Sequence, residues 1–367
     1  MNMPVDATSL ATAAVRKLEP YVPGKPIAEL EREYGVCDSI KLASNENPLG
    51  PGPAALAAIA QSAAQIGMYP DGNGFELKQA LGRRYGVAAD GIILGNGSND
   101  VLELAARAFL TPGDEAVYSR HAFAVYPLAV QAVGARGIEV PARDYGHDLG
   151  AMGHAVSNRT RIVFIANPNN PTGTMVGGTA LEAFIAALPD HVLVVLDEAY
   201  NDYLPHEVRT DTIAWLRRYP NLVITRTMSK VYGLAGLRIG YSFAAPDVAD
   251  LMNRVRAPFN VNSVALAAGA AALDDTEFVE KSYALNCAGM KQITEGLTAL
   301  GLEFIPSYGN FVSFRVGHAA EVFQRLLETG VIVRPIAGYG MPHHLRVSIG
   351  LETENARFLE SLKQACR

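Results

Sequence analysis

The runs Ile162-Val163-Phe164-Ile165-Ala166 and Val192-Leu193-Val194-Val195-Leu196 are apolar without alternation. A strand that is apolar on both sides is buried on both faces, so such runs predict a mostly parallel sheet covered by helices. From about residue 91 onward, further short β-branched runs alternate with amphipathic ones. The pattern predicts strands at Gly91–Gly95, Ala116–Tyr118, Ile138–Val140, Arg161–Ala166, His191–Leu196, Leu222–Thr225 and Ile239–Phe243. Helices are expected between them, at Asn99–Leu110, Thr179–Leu188 and Asp247–Val255; in the first, Val101, Leu104, Ala105 and Ala108 recur at helical spacing. Ligands of such sheets gather at the carboxyl ends of the strands, so the polar residues there become the candidates for function.

After about residue 260 the alternation gives way to a long helical stretch, Ser263–Leu300. Strands at Phe311–Val316, Val331–Pro335 and Leu345–Ile349 follow, with a helix at Ala319–Glu328. The expected organisation is an N-terminal arm that is also part of a smaller α+β domain (residues 1–45) and packs against that domain or a neighbouring subunit, a large domain (46–262), and a connecting helix with the C-terminal small domain (263–367). At 367 residues, 49% hydrophobic and 19% charged, the chain has the composition of a folded two-domain protein. A net charge of -6 and the lack of a basic tract argue against a nucleic-acid partner. Cys37, Cys287 and Cys366 have no paired spacing, which reads as a reducing compartment. The first residues show neither a basic segment nor a sustained apolar core, and no run reaches membrane-spanning length. The expected location is the cytoplasm.

Each strand end carries a polar cluster. After the first comes Asn96-Gly97-Ser98-Asn99-Asp100, a turn opening a helix, which suits either a phosphate on free N–H groups or an ordinary N-cap. Asn167-Pro168-Asn169-Asn170-Pro171-Thr172-Gly173 is an irregular loop that either holds an Asn side chain still or simply turns the chain. Asp197, with Tyr200 three residues on, ends an apolar strand. A buried acid there needs a cation, and a protonated pyridine nitrogen would be one. A helix cap or a metal ligand are the other readings, but no His/Cys cluster is spaced to complete a metal site. Thr227, Ser229, Lys230 and Arg238 supply two hydroxyls and a cation for a phosphate, and an amine that burial can make nucleophilic. The glycine-rich stretch after Lys230 is not GxGxxG, which weakens a dinucleotide reading. The order of the four clusters, each at an expected ligand-facing strand end, is the combined signal.

The segments NPNNPTG, LDEAY, TMSK and GLRIGY resemble the fold-type I pyridoxal-phosphate aminotransferases. LEPYVPG, LASNENPLG, YPDGNG and LRVSIG are similar to the histidinol-phosphate aminotransferase branch, and the resemblance runs from about Leu18 to Leu362. It implies an α/β fold with a seven-stranded sheet and pyridoxal 5′-phosphate as cofactor. Lys230 would be the Schiff-base lysine and proton shuttle, and Asp197 the partner of the pyridine nitrogen. Asn170 and Tyr200 would meet the phenolic oxygen, and Phe123 would stack on the ring. Ser98, Asn99, Thr227, Ser229 and Arg238 would hold the phosphate, with Tyr69 reaching it from the second subunit of a homodimer.

For the substrate the resemblance implies Arg346 and Arg334 as anion contacts, with Tyr21 and Asn47 beside them; a surface salt bridge is the plain alternative for Arg334. The implied reaction is ping-pong transfer between histidinol phosphate and 2-oxoglutarate. An aromatic-amino-acid aminotransferase and a threonine-phosphate decarboxylase are the neighbouring alternatives. A non-catalytic effector domain is a rival of another class, and a helix-turn-helix extension, its expected mark, is not seen in the first 45 residues.

Overall fold

The computed structural model describes residues 6–21 and 23–367. Residues 1–5 of the expected N-terminal arm, and Val22 of LEPYVPG, lie outside the described residues. Strand β1 (Ile40–Lys41) belongs to a small two-stranded sheet, while β2 (Ile92–Asn96), β3 (Glu115–Ser119), β4 (Arg136–Val140), β5 (Thr160–Ala166), β6 (Leu193–Asp197), β7 (Leu222–Thr227) and β8 (Ile239–Ala244) form one seven-stranded sheet. Its order is β2-β8-β7-β6-β5-β3-β4. Only β8 runs antiparallel to its neighbours, β2 and β7.

The uninterrupted apolar runs have the expected cause. Along β5, Ile162 and Phe164 enter one core with helices Ser98–Phe109 and Val125–Ala132, while Val163 and Ile165 enter another with helix Gly178–Ala187. All four are fully buried. Successive side chains alternate faces, so a sheet clad on both sides requires apolar residues at every position. Full burial of each such side chain contributes about 1.5–3 kcal/mol.

The reversed strand β8 has a positional consequence. Because it runs against the others, its first residue lies on the edge where β2, β3, β5, β6 and β7 end. Arg238, immediately before β8, therefore joins the residues that follow those strands.

The remaining strands form the second architecture: β9 (Phe304–Ile305), β10 (Phe311–Arg315), β11 (Val331–Ile332), β12 (Arg334–Pro335) and β13 (His344–Ser348). The four-stranded sheet has the order β12-β13-β10-β9, and β11 pairs in parallel with β1. Leu30, on the helix Ile27–Tyr34, packs with Leu327 and Ile332 on this side of the molecule.

Two expectations need correction, and one helix lay outside them. The stretch Ser263–Leu300 is two helices, Ser263–Asp274 and Thr276–Ala299. Asp275 lies between them and its side chain accepts the Phe278 N–H at 3.2 Å, an N-cap that restarts the helix. The run Val331–Pro335 divides between two sheets; Pro335, which has no N–H to donate, sits in the edge strand β12. Helix Glu352–Ala365 was not anticipated; it closes the core around Phe314 and Phe358. No helix among the described residues is long and apolar enough to cross a membrane.

Just past the end of β6, the buried Glu198 carboxylate accepts Arg226 Nε at 2.9 Å and Nη2 at 2.8 Å, and Thr212 Oγ1 at 2.7 Å. Removing one partner strands a buried charge. Glu198→Ala is expected to lower unfolding free energy by about 3–5 kcal/mol in urea titrations, and an unchanged midpoint would refute a structural role for the pair.

Candidate active site

A cavity of about 300 Å³ opens along the common edge of the strands. Tyr21, Ser98, Asn99, Phe123, Asn170, Asp197, Tyr200, Thr227, Ser229, Lys230, Arg238, Arg334 and Arg346 line it. The chain thus brings together every candidate except Asn47 and Tyr69.

One end of the cavity is built to receive an anion. Helix Ser98–Phe109 begins after Gly97, whose φ is 82° and which as a glycine offers no side-chain cap. Its first N–H groups and the positive end of the helix dipole face the opening. A Cβ at Gly97 would collide with Arg238 Nη2, and a Cβ at Gly240 with the Ser98 nitrogen. These two glycines let the guanidinium and the helix start close on the same space. Arg238 Nη1 donates to Ser229 Oγ at 3.3 Å and to the Ala235 carbonyl at 3.1 Å. Thr227 Oγ1 accepts the Ser229 N–H at 3.1 Å, which holds both hydroxyls in one turn.

In the middle lie the acid and the amine. Asp197 is buried; its Oδ2 accepts Tyr126 Oη at 2.9 Å and its Oδ1 the Ala199 N–H at 3.2 Å. Burial pushes its carboxyl up to about 6, although the Tyr126 hydrogen bond pulls the other way. Lys230 Nζ donates to the Ser44 carbonyl at 3.0 Å and lies 5.7 Å from the centre of the Tyr200 ring. Burial, reinforced by the Arg346 and Arg238 guanidinium groups, lowers its amine to about 7. Tyr200 Oη accepts Asn45 Nδ2 at 2.8 Å, and burial raises its phenol to about 12 against the pull of Arg346.

The other end carries two arginines. Arg334 and Arg346 are directly paired across the β12–β13 ladder, so both side chains leave the same face of the small sheet. Arg346 donates to Asn170 Oδ1 at 2.5 Å and to the Ala43 carbonyl at 2.8 Å, while its buried Nε meets no acceptor among the described residues. The Arg334 guanidinium lies 5.3 Å from the centre of the Tyr21 ring.

Two candidates are placed elsewhere. Asn47 is buried outside the cavity, and its amide donates to the Val231 carbonyl at 2.8 Å and to Ser282 Oγ at 2.9 Å. It braces the segment after Lys230 and is not placed to contact a substrate. Tyr69 is 83% exposed and stacks on Phe259 with ring centres 4.8 Å apart. It contributes nothing to the cavity of its own chain. Among the residues that sequence reasoning passed over are Ser44 and Asn45, in the same LASNENPLG segment, and Tyr126, three residues after Phe123.

A family model described as aminotransferase class I and II matches residues 38–362. The histidinol-phosphate aminotransferase of Methylobacillus flagellatus is 62% identical over 356 residues, covering 96% of each chain. Histidinol-phosphate aminotransferase 2 of Nitrosospira multiformis is 61% identical, covering 96% of this chain and 91% of that one. Among solved structures, the histidinol-phosphate aminotransferase of Sinorhizobium meliloti in complex with pyridoxal-5′-phosphate matches with a TM-score of 0.90 at 29% identity, over 100% of this chain and 99% of the other. The Thermus thermophilus aspartate aminotransferase with maleate gives 0.81 at 25% identity, covering 97% and 99%. With a lysine and an acid on the edge of a doubly clad sheet, and a match over most of its length, the chain belongs to the class I and II aminotransferases.

Proposed function

We propose that this enzyme transfers the amino group of histidinol phosphate to 2-oxoglutarate, giving imidazole-acetol phosphate and glutamate, with pyridoxal 5′-phosphate as cofactor. The observation that carries the substrate reading is the register of Arg334 opposite Arg346 at the cavity wall. Two adjacent guanidinium groups suit a doubly charged phosphate, and either can hold the carboxylate of the alternate substrate. The relatives that share about three residues in five with this chain carry the same activity in their names.

The residues present fit the cofactor. The glycine cradle, the uncapped helix start, Thr227, Ser229 and Arg238 offer donors for its phosphate. Asp197 is a buried carboxylate with no salt-bridge partner among the described residues, as a site for a protonated ring nitrogen requires. When bound, pyridoxal 5′-phosphate supplies an aldehyde that captures amines and a ring that accepts electrons. Phe123, in the cavity wall, would pack against the ring. Asn170 offers its amide N–H, since its oxygen is taken by Arg346, and with Tyr200 it would hold the phenolic oxygen. Lys230 Nζ would serve as the base that takes the proton from the donor's Cα and the acid that gives it back; an amine near neutrality can do both at working pH. Residues 46–262 supply the cofactor contacts, and residues 1–45 and 263–367 bring Tyr21, Arg334 and Arg346 over them. The reading also assigns a cytoplasmic homodimer, in which Tyr69 serves the neighbouring subunit's phosphate; its exposure on its own chain leaves it available.

Three outcomes test this. Capture of pyridoxal 5′-phosphate by cofactor-free protein, followed at about 420 nm, needs a neutral Lys230. Its rate should fall roughly tenfold per pH unit below about 7 and level off above it; a flat profile from pH 5 to 8 contradicts the lysine assignment. Arg334→Ala is expected to cut kcat/KM for histidinol phosphate by roughly 30-fold or more, as loss of charge-assisted hydrogen bonds does. Phenylalanine turnover should change little; equal losses for both would favour an aromatic-amino-acid enzyme. Finally, Lys230→Ala and Tyr69→Ala subunits, each weak alone, should recover about a quarter of wild-type activity after mixing and random reassociation. No recovery would mean that sites are not shared between subunits.

A further inference from the structure

The carboxylate of Asp197 is held from behind by a residue that belongs to neither the cofactor nor the substrate set. Tyr126 lies on helix Val125–Ala132 and is fully buried. Its hydroxyl donates to Asp197 Oδ2 at 2.9 Å. Its ring stacks on Phe164, with centres 4.8 Å apart and planes 9° from parallel, and meets Phe123 edge-on at 6.0 Å. Phe164 is in β5 and Phe123 is in the cavity wall, so the phenol is wedged between the sheet and the site. Two donors, Tyr126 Oη and the Ala199 N–H, thus fix the plane of the carboxylate.

We propose that Tyr126 is a positioning residue for the amino-transfer reaction, one that aims the Asp197 carboxylate at the ring nitrogen and keeps the shared proton on that nitrogen. The inference rests on the cofactor reading above. A hydrogen bond donated to a carboxylate favours its charged form and makes it a weaker base. Burial acts the other way on Asp197, as does the neighbouring Glu198, whereas the Lys230 charge helps the ionised form. Burial and the Asp197 charge keep the Tyr126 phenol protonated, so it remains a donor throughout. Without it, the carboxylate would draw the proton from the nitrogen, and the ring would accept electrons less well. Loss of the bond also leaves one oxygen of the carboxylate to find a new orientation.

The test compares Tyr126→Phe with Phe164→Leu, which loosens the same stack and keeps the hydroxyl. In Tyr126→Phe, the dissociation constant for pyridoxal 5′-phosphate should rise about tenfold, in line with one hydrogen bond to a charged group. With cofactor labelled at the ring nitrogen, the bound ¹⁵N resonance should move toward the unprotonated pyridine position. The kcat should fall about tenfold while KM for glutamate stays within roughly twofold, because no ground-state substrate contact is lost. Phe164→Leu should leave the ¹⁵N resonance in place. A wild-type resonance and affinity in Tyr126→Phe would overturn the proposal, as would equal shifts in both variants, which would assign the effect to packing. Failure of the cofactor reading is separate: in that case the wild-type chain itself would bind no pyridoxal 5′-phosphate and show no labelled signal.

Discussion

A carboxylate at the end of a fully buried strand is the constraint on which this site depends. Asp197 closes β6, a strand with no exposed side chain, and burial alone makes its ionised form costly. Its neighbour Glu198 has the same difficulty and a different solution. Glu198 is neutralised inside the protein by Arg226 and hydrogen-bonded by Thr212. Asp197 receives two neutral donors and faces the cavity. The chain therefore completes one acid and leaves the other oriented, with its charge to be matched by whatever enters. That contrast separates a structural ion pair from a binding group more clearly than the burial of either.

The amine opposite is tuned by the same surroundings with the opposite sign. The chain as a whole is acidic, yet Lys230, Arg238, Arg334 and Arg346 all border one cavity. The two nearer guanidinium groups add to burial in disfavouring the Lys230 ammonium. The arginines that prepare the site for anions thus also free the lysine amine. Anion binding and amine reactivity follow from one cluster, and a bound anion that screens the cluster would allow Lys230 to hold a proton more readily.

Much of this was legible because β-strand ends are legible. The apolar runs of β5 and β6 end at Ala166 and Asp197, and the first polar residues beyond them fall where the sheet presents ligands. What escaped was the direction of side chains that arrive from distant parts of the chain. In LASNENPLG, Asn45 and Asn47 are equivalent to a reader of the sequence. Asn45, at φ 56°, turns its amide to Tyr200, while Asn47 turns away to Val231 and Ser282. No local pattern encodes that choice, because both sets of partners lie more than a hundred residues away. Tyr126 is a milder case. It follows the cavity residue Phe123 by three positions at a helix start, so a polar aromatic near the site could have been noticed, but not the acid it serves.

The two cavity arginines show how the two sheets share the cavity wall. Asp197, Lys230 and Arg238 sit on the seven-stranded sheet's edge, whose geometry is fixed by a core packed on both faces. Arg334 and Arg346 stand on a four-stranded sheet with its own core. Arg346 reaches the first set's side through Asn170 Oδ1, in the loop after β5, while its bond to the Ala43 carbonyl stays within the N-terminal segment that packs on the small-sheet side. A one-residue slip of β12 against β13 would turn Arg334 to the opposite face and separate the two guanidinium groups. Pro335 follows Arg334 at the end of that short edge strand, and the sequence spends an unusual residue there for a strand. The pairing of the two guanidinium groups thus depends on the register of a two-residue strand, whereas Asp197 and Lys230 are placed by a sheet packed on both faces.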